Sequence, residues 1–474
     1  TLVKRGVIAH AFQPRRATAL QEGILASISN RELFLVDAAN RDLPALLSEV
    51  TLAFGADRIV HADAKHIVHC EGGGWNGGNA TLRVSTAKDA DDVVSETLLS
   101  AGRVVSSGVQ GNRLAVLVEN SIKPESSQLI FYRLDKLPTL VESGRAAINL
   151  SEVSGATAQI LWPYPDTIAI ALHRQGWGWG GGYWPRVMDD APMLSRSVMP
   201  YRGWYGSVQD TVQFIAFDLS GSSPTLASTM KFDDLKPSNT SSFFTADGLV
   251  AFSMETTKDD PVVESNTTSV KPGSGDIVAI SLPPVTRGFT RQRVSSQLQV
   301  VDYADASKPS RWPTTTIPGK LEHITEWDRS AGLLFTSRSN DTGGIALDAL
   351  LYEAAQASAI TSWDSGKVAA PFSFSARSLF VADSGLSRRD LSNDGQFTVK
   401  GSISNLPWQP NELVAKGDAL LLRNGADIGA LALDLKAPLQ KWNIPGWSWQ
   451  LKETQRAGKA WVTPLGEYGL ETLE

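Results

Sequence analysis

Apolar and polar residues alternate along this chain over short stretches, and the stretches break at Gly, Pro, Asn or Asp. A helical period is almost absent. The pattern predicts a recurring order of short strand, turn, short strand, turn. In Glu32-Leu33-Phe34-Leu35-Val36-Asp37 the strand ends at an Asp, six residues follow, and Pro44 opens the next strand. In Leu298-Gln299-Val300-Val301-Asp302 six residues again separate the Asp from Pro309. Looser copies end at Asp218 with Pro224, Asp135 with Pro138, and Asp434 with Pro438. The Asp side chain is suited to bond the backbone of the turn that follows. Proline, lacking an N–H, is tolerated at the start of a strand or at a sheet edge, so the strand it opens should be the outermost of its sheet.

A second pair of strands precedes each such pair, which gives four strands in about 40 to 50 residues, the period of a propeller blade. The units fall at about 16–54, 57–102, 103–150, 155–233, 238–320, 321–364, 367–408 and 409–447. Residues 448–474 read as three strands and 1–12 as one. The expected fold is therefore all-β: a single β-propeller domain over 1–474, with the N-terminal strand completing the C-terminal blade and closing the ring. Nine blades are counted; eight is the alternative if one blade has been divided. A pair of β-sandwiches also gives many short strands, but the shared Asp-to-Pro spacing and the split end unit favour the propeller.

The Leu-Phe-Leu-Val-Asp and Leu-Gln-Val-Val-Asp segments, each with its Pro seven residues after the Asp, are similar to the LVIVD-type repeat of secreted bacterial β-propeller proteins. The similarity is good in two units and degenerate in the others. It implies an exported, periplasmic or cell-surface location, and it implies no catalytic residue, since the matching positions are architectural.

Two units are nearly twice the length of a bare blade. The excess lies between the second and third strands, at about 176–210 and 259–297, with a shorter excess at Glu71 to Asn79. In a propeller these connections open on one face, a common binding-surface signature. Their composition is distinctive: Trp75 among glycines, then Trp177, Trp179, Tyr183, Trp184 and Arg186, then Tyr201, Arg202, Trp204 and Tyr205. Aromatics with polar handles bury large areas while ordering few torsions, and Arg supplies directed hydrogen bonds. The candidate binding patch is therefore Trp75, Trp177, Trp179, Tyr183, Trp184, Arg186, Arg202, Trp204 and Tyr205. The same rings would also suit a small core capping the chain's own channel. The 259–297 insertion reads as a long hairpin arm or a partly mobile loop. Trp312, Trp363, Trp408, Trp442 and Trp447 fall in or just after outermost strands, where they would pack blade on blade.

Composition narrows the function classes. The chain has 474 residues, 14 Trp, one Cys and a formal net charge of −6. That charge argues against nucleic acid as a partner, and a single cysteine allows no internal disulfide. No apolar run approaches the length of a membrane span, and the residues from Thr1 onward hold no secretory-leader pattern. His61, His66, His69 and Cys70 are close in sequence. Their spacing puts His66 and His69 on opposite sides of a strand and His61 on another strand, so no metal site is expected. Cys70 reads as a small buried hydrophobe. Asp189-Asp190, Asp259-Asp260, Asn340-Asp341 and Asn393-Asp394 offer hard oxygen ligands for calcium but follow no calcium-loop pattern, and are read as solvated turns; no cofactor is expected.

The expected function is non-catalytic binding of a protein or polysaccharide through the aromatic patch. A lyase or glycoside hydrolase is the alternative, with Glu322, His323, Glu326 and Asp328 as contributors from one inner strand. A structural module of a larger surface protein is another.

Overall fold

The computed structural model describes residues 16–20, 23–28, 32–51, 54–71, 79–120, 122–153, 156–174, 211–221, 223–232, 239–240, 242–261, 290–340, 343–366, 370–444, 451–466 and 469–473. Among them, regular structure is strand, apart from short 3-10 turns at Pro124–Ser126, Leu134–Lys136, Ser151–Val153 and Leu451–Glu453. No described helix is long and apolar enough to cross a membrane.

The strands form nine antiparallel sheets among the described residues, each built from strands consecutive in sequence. The first covers 16–51, the second 58–101, the third 103–148, the fourth 157–231 and the fifth 239–317. The sixth covers 320–364, the seventh 372–403 and the eighth 412–443; the ninth has three strands over 455–473. Every four-strand unit read from the sequence coincides with one sheet, an arrangement of the β-propeller kind. In the fifth sheet both edges are broken in two, Asn239–Thr240 with Phe244–Ala246 on one side and Ser310–Arg311 with Thr315–Ile317 on the other. The N-terminal segment expected to complete the ninth sheet lies outside the described residues.

The repeat has the local cause its residues suggest. Asp37 Oδ1 accepts the amide of Ala39 at 2.9 Å, Asp218 that of Ser220 at 2.9 Å, Asp302 that of Ala304 at 2.8 Å, and Asp434 that of Lys436 at 3.0 Å. These are Asx turns, which reverse the chain using a side chain in place of a backbone acceptor. Asp135 departs from the pattern: a 3-10 turn occupies its position, and its carboxylate pairs with Arg133. Pro44, Pro224 and Pro309 each immediately precede an edge strand, and Pro138 and Pro438 stand just before one.

Middle strands bury both faces, which explains runs such as Arg113–Glu119, whose six residues after Arg113 are all buried. Leu114, Val116 and Val118 pack toward Val68, Leu82 and Leu99 of the second sheet, while Ala115 and Leu117 pack toward Ile168 and Ile170 of the fourth. The same interleaving continues along the chain. Phe214 meets Phe252, Val300 meets Leu334, Phe335 meets Leu379, Phe380 meets Leu420, and Leu421 meets Trp461 in successive clusters. A last cluster joins Val462 and Leu470 of the ninth sheet to Ile59 and Ile67 of the second. Trp312, Trp363, Trp408 and Trp442 are half-buried in four of these inter-sheet clusters, as expected of blade-packing residues; Trp447 lies outside the described residues. In the first sheet Phe34 and Val36 are buried, while the strand Ala45–Thr51 is exposed along its length.

Candidate functional site

The nine residues of the expected aromatic patch, Trp75, Trp177, Trp179, Tyr183, Trp184, Arg186, Arg202, Trp204 and Tyr205, all lie outside the described residues, as do Asp189 and Asp190. What is described are the strands that carry them. The connections 72–78, 175–210 and 262–289 each join the second strand of a sheet to the third. They therefore leave from the end at which the inner strands begin.

The sixth-sheet residues offered for catalysis do not converge. Glu322 accepts from Ser337 Oγ at 2.6 Å, and burial raises its carboxyl above the usual range. His323 turns to the other side of the strand and stacks on Phe374 at 6.3 Å with an interplanar angle of 3°. Asp328 Oδ1 caps its own turn through the amides of Ser330 and Ala331, and Glu326, at positive φ, reaches Arg377. Two of the four are thus turn residues at the opposite end of the strand from Glu322.

The histidines divide similarly. His69 is buried, with Nε2 3.0 Å from Ser85 Oγ. His61 and His66 flank Asp63 at 3.7 and 3.8 Å, but Asp63 Oδ1 already accepts the amides of Lys65 and His66. No group of three metal-ligating side chains occurs among the described residues. Cys70 is buried in an inter-sheet cluster, and burial pushes its thiol up to about 12, so it is not a nucleophile at neutral pH.

The feature that does assemble is the innermost row of side chains. Arg58 Nη1 donates to Val105 O at 3.1 Å, tying the second sheet to the third. Ser106 Oγ accepts the amide of Ile160 at 3.1 Å, third to fourth. Gln159 Nε2 donates to Phe243 O at 3.0 Å, fourth to fifth, and Ser253 Oγ accepts the amide of Leu321 at 2.8 Å, fifth to sixth. His323 on Phe374 joins sixth to seventh. Ser373 Oγ accepts the amide of Ala415 at 2.9 Å, seventh to eighth. Lys416 Nζ donates to Lys452 O at 2.9 Å and Thr454 O at 2.7 Å, eighth to ninth. Gln455 Nε2 donates to Ile59 O at 2.8 Å, which ties the ninth sheet to the second.

These bonds satisfy backbone groups of inner strands at Val105, Ile160, Leu321, Ala415 and Ile59, and of the segments leading into one at Phe243, Lys452 and Thr454. Sequence reasoning missed these residues. Their signal is a lone small or amide side chain on a strand whose neighbours are apolar, as with Ser373 between Phe372 and Phe374 on an inner strand and Ser253 between Phe252 and Met254 on a second strand. Ser253→Ala is expected to cost about 1–3 kcal/mol, because it orphans the buried amide of Leu321. Urea unfolding would show it as a lower midpoint at unchanged slope.

Arg58, Gln159, Lys416 and Gln455 of this row face a cavity of about 830 Å³, also lined among the described residues by His61, His173, Lys320, Lys452 and Glu453 together with residues 107–109, 157–158 and 242–243. Burial holds the Lys416 ammonium below the usual lysine range, with Glu453 opposing that shift.

No protein-family model matches the chain, and no curated protein matches it. Among solved structures it is similar to the computationally designed Ika8 protein, at 7% identity over 89% of this chain and 97% of that one, TM-score 0.48. It is also similar to Sqt1 of Saccharomyces cerevisiae, at 7% identity over 89% and 96%, TM-score 0.44. A third similarity is to BamB of Moraxella catarrhalis, at 10% identity over 92% and 100%, TM-score 0.38.

Proposed function

We propose that this chain is a non-catalytic β-propeller scaffold, exported or exposed on a bacterial surface, that binds a protein partner on the face from which its long connections leave. In this reading the second to ninth sheets close around the channel as eight blades, and the first sheet stands beside that ring. The eight inter-sheet ties, the last of them from Gln455 to Ile59, support the closure. The location rests on the likeness of the Asp-to-Pro segments to LVIVD-type repeats.

The observation that carries the binding face is the hairpin of the fifth sheet. Leu249–Pro261 and Thr290–Asp302 pair over their full length, from Leu249 with Asp302 to Pro261 with Thr290. Flanking strands end level with the Glu255–Ser296 pair. From Thr256 to Pro261 the hairpin is a two-stranded ribbon standing beyond its sheet. Among the described residues no strand flanks this ribbon, and such an edge can pair with a partner's strand. The aromatic connections 72–78 and 175–210 leave from the same end, and Trp75, Trp177, Trp179, Tyr183, Trp184, Arg186, Arg202, Trp204 and Tyr205 supply the anchors.

The test replaces 176–206 by a short Gly-Ser turn in a variant whose melting temperature is unchanged. Wild type and variant are compared by crosslinking on the source cells and on a glycan array. The expected result is a saturable protein crosslink that the variant loses, with no glycan signal. Equal crosslinking by both proteins, or a glycan signal lost with the loop, overturns the protein-partner reading.

A further inference from the structure

The channel cavity has a charge unlike that of the molecule around it. The chain as a whole is acidic, with a formal net charge of −6. Among the described residues lining the cavity, four are cationic, Arg58, Lys320, Lys416 and Lys452, against one carboxylate, Glu453. Three come from the second, sixth and eighth sheets and Lys452 from the 3-10 turn before the ninth, so no local sequence preference gathers them. Concave, low-dielectric walls bearing one sign of charge focus the field and concentrate counter-ions.

The cations are not used up by the architecture. Lys416 gives two of its three N–H bonds to the carbonyls of Lys452 and Thr454 and keeps one. Arg58 gives Nη1 to Val105 O, and its Nε lies 3.9 Å from Glu453, which leaves Nη2 without a partner among the described residues. Lys452 is exposed. Glu322, beside Lys320 on the same strand, accepts from Ser337, while the Lys320 charge acts to lower its carboxyl against the effect of burial. Gln159, Gln455 and His61 add neutral polar groups to the same wall.

We propose that this cavity binds a small multivalent oxyanion of metabolite size, held by Arg58, Lys320, Lys416 and Lys452. The volume, about 830 Å³, falls in the range of ligand pockets, which run to about 1,000 Å³. An anion with one charged group reaches only part of a cation set spread over three sheets and a turn, whereas a chain of phosphate or carboxylate groups spans it. The guanidinium offers directed hydrogen bonds and the ammonium groups act as point charges. An acidic protein segment would have to thread between the inner strands, which favours the small ion.

The full chain is titrated calorimetrically with tripolyphosphate, and with inorganic phosphate for comparison. The expected result is a single site for tripolyphosphate that weakens as salt is raised, with phosphate binding much more weakly. Lys320→Gln with Lys452→Gln should weaken tripolyphosphate by about tenfold or more, while Lys88→Gln with Lys436→Gln, both outside the cavity, should leave it unchanged. Melting temperatures of both variants confirm that each is folded. No saturable heat, equal losses in the two variants, or tighter binding of a polyglutamate peptide than of tripolyphosphate overturns the proposal.

Discussion

Replacing Phe252 with alanine is expected to lower the unfolding free energy by about 3–5 kcal/mol, the range for deleting a fully buried phenylalanine. Phe252 is completely buried between the fourth and fifth sheets. Its ring lies 5.0 Å from Phe243, 5.4 Å from Phe232 and 5.5 Å from Phe214, centroid to centroid. The Phe232 contact is edge-to-face, at 84°, which aromatic quadrupoles favour. The site has little freedom to collapse. Phe252 sits mid-strand, paired on one side with Gln299, and the strands around it are held in their own sheets. The inner edge of the fifth sheet is also broken between Thr240 and Phe244, so this seam depends on rings more than on a continuous inner strand. Phe397, half-buried on an outer strand, provides the comparison, and Phe397→Ala should cost clearly less. Equal midpoints for the two variants in urea would remove the special weight given to this seam.

The sequence is legible where the cause of structure is local. An Asp whose carboxylate reaches an amide two residues on, and a Pro at the start of an edge strand, act within one turn, so their spacing survives as a readable repeat. Continuous apolar runs such as Leu420-Leu421-Leu422 are legible for a related reason. Alternate residues serve two different seams, with Leu420 and Leu422 toward the seventh sheet and Leu421 toward the ninth. What was not legible is the set of partners across a seam. Nothing near Gln455 in sequence marks Ile59 as its acceptor, and Arg58, Lys320, Lys416 and Lys452 are brought together only when inner strands far apart in the chain stand side by side. The proposed catalytic group failed for an opposite reason. Glu322, His323, Glu326 and Asp328 are close in sequence, and a strand sends close neighbours to different sides and into the following turn.

Acidification is expected to destabilise the fold between about pH 6.5 and pH 4, with His69 as the largest single histidine contribution. Burial is the main reason that His69 is held down to about 4, from an ordinary value of 6.5; the Arg83 charge acts in the same direction and Glu71 against it. Its Nε2 lies beside Ser85 Oγ, and its Nδ1 has no hydrogen-bond partner among the described residues, so a proton there would be buried and unsolvated. Between the two values the unfolded chain binds a proton that the native state refuses. Stability therefore rises with pH through this window, is fully present above about 6.5, and has been lost once the pH reaches about 4. The full shift corresponds to about 3 kcal/mol. Burial lowers His61 and His323 as well, which adds in the same direction. Glu322 and Asp91, raised by burial, oppose it, because they take up protons in the folded state first. The wild-type profile sums these contributions, so the difference between wild type and His69→Gln isolates one of them. That difference should change by about 3 kcal/mol between pH 6.5 and 4 in urea unfolding. Parallel profiles for the two proteins would show that His69 titrates alike in the folded and unfolded chain, contrary to its placement beside Ser85 in the interior of the second sheet.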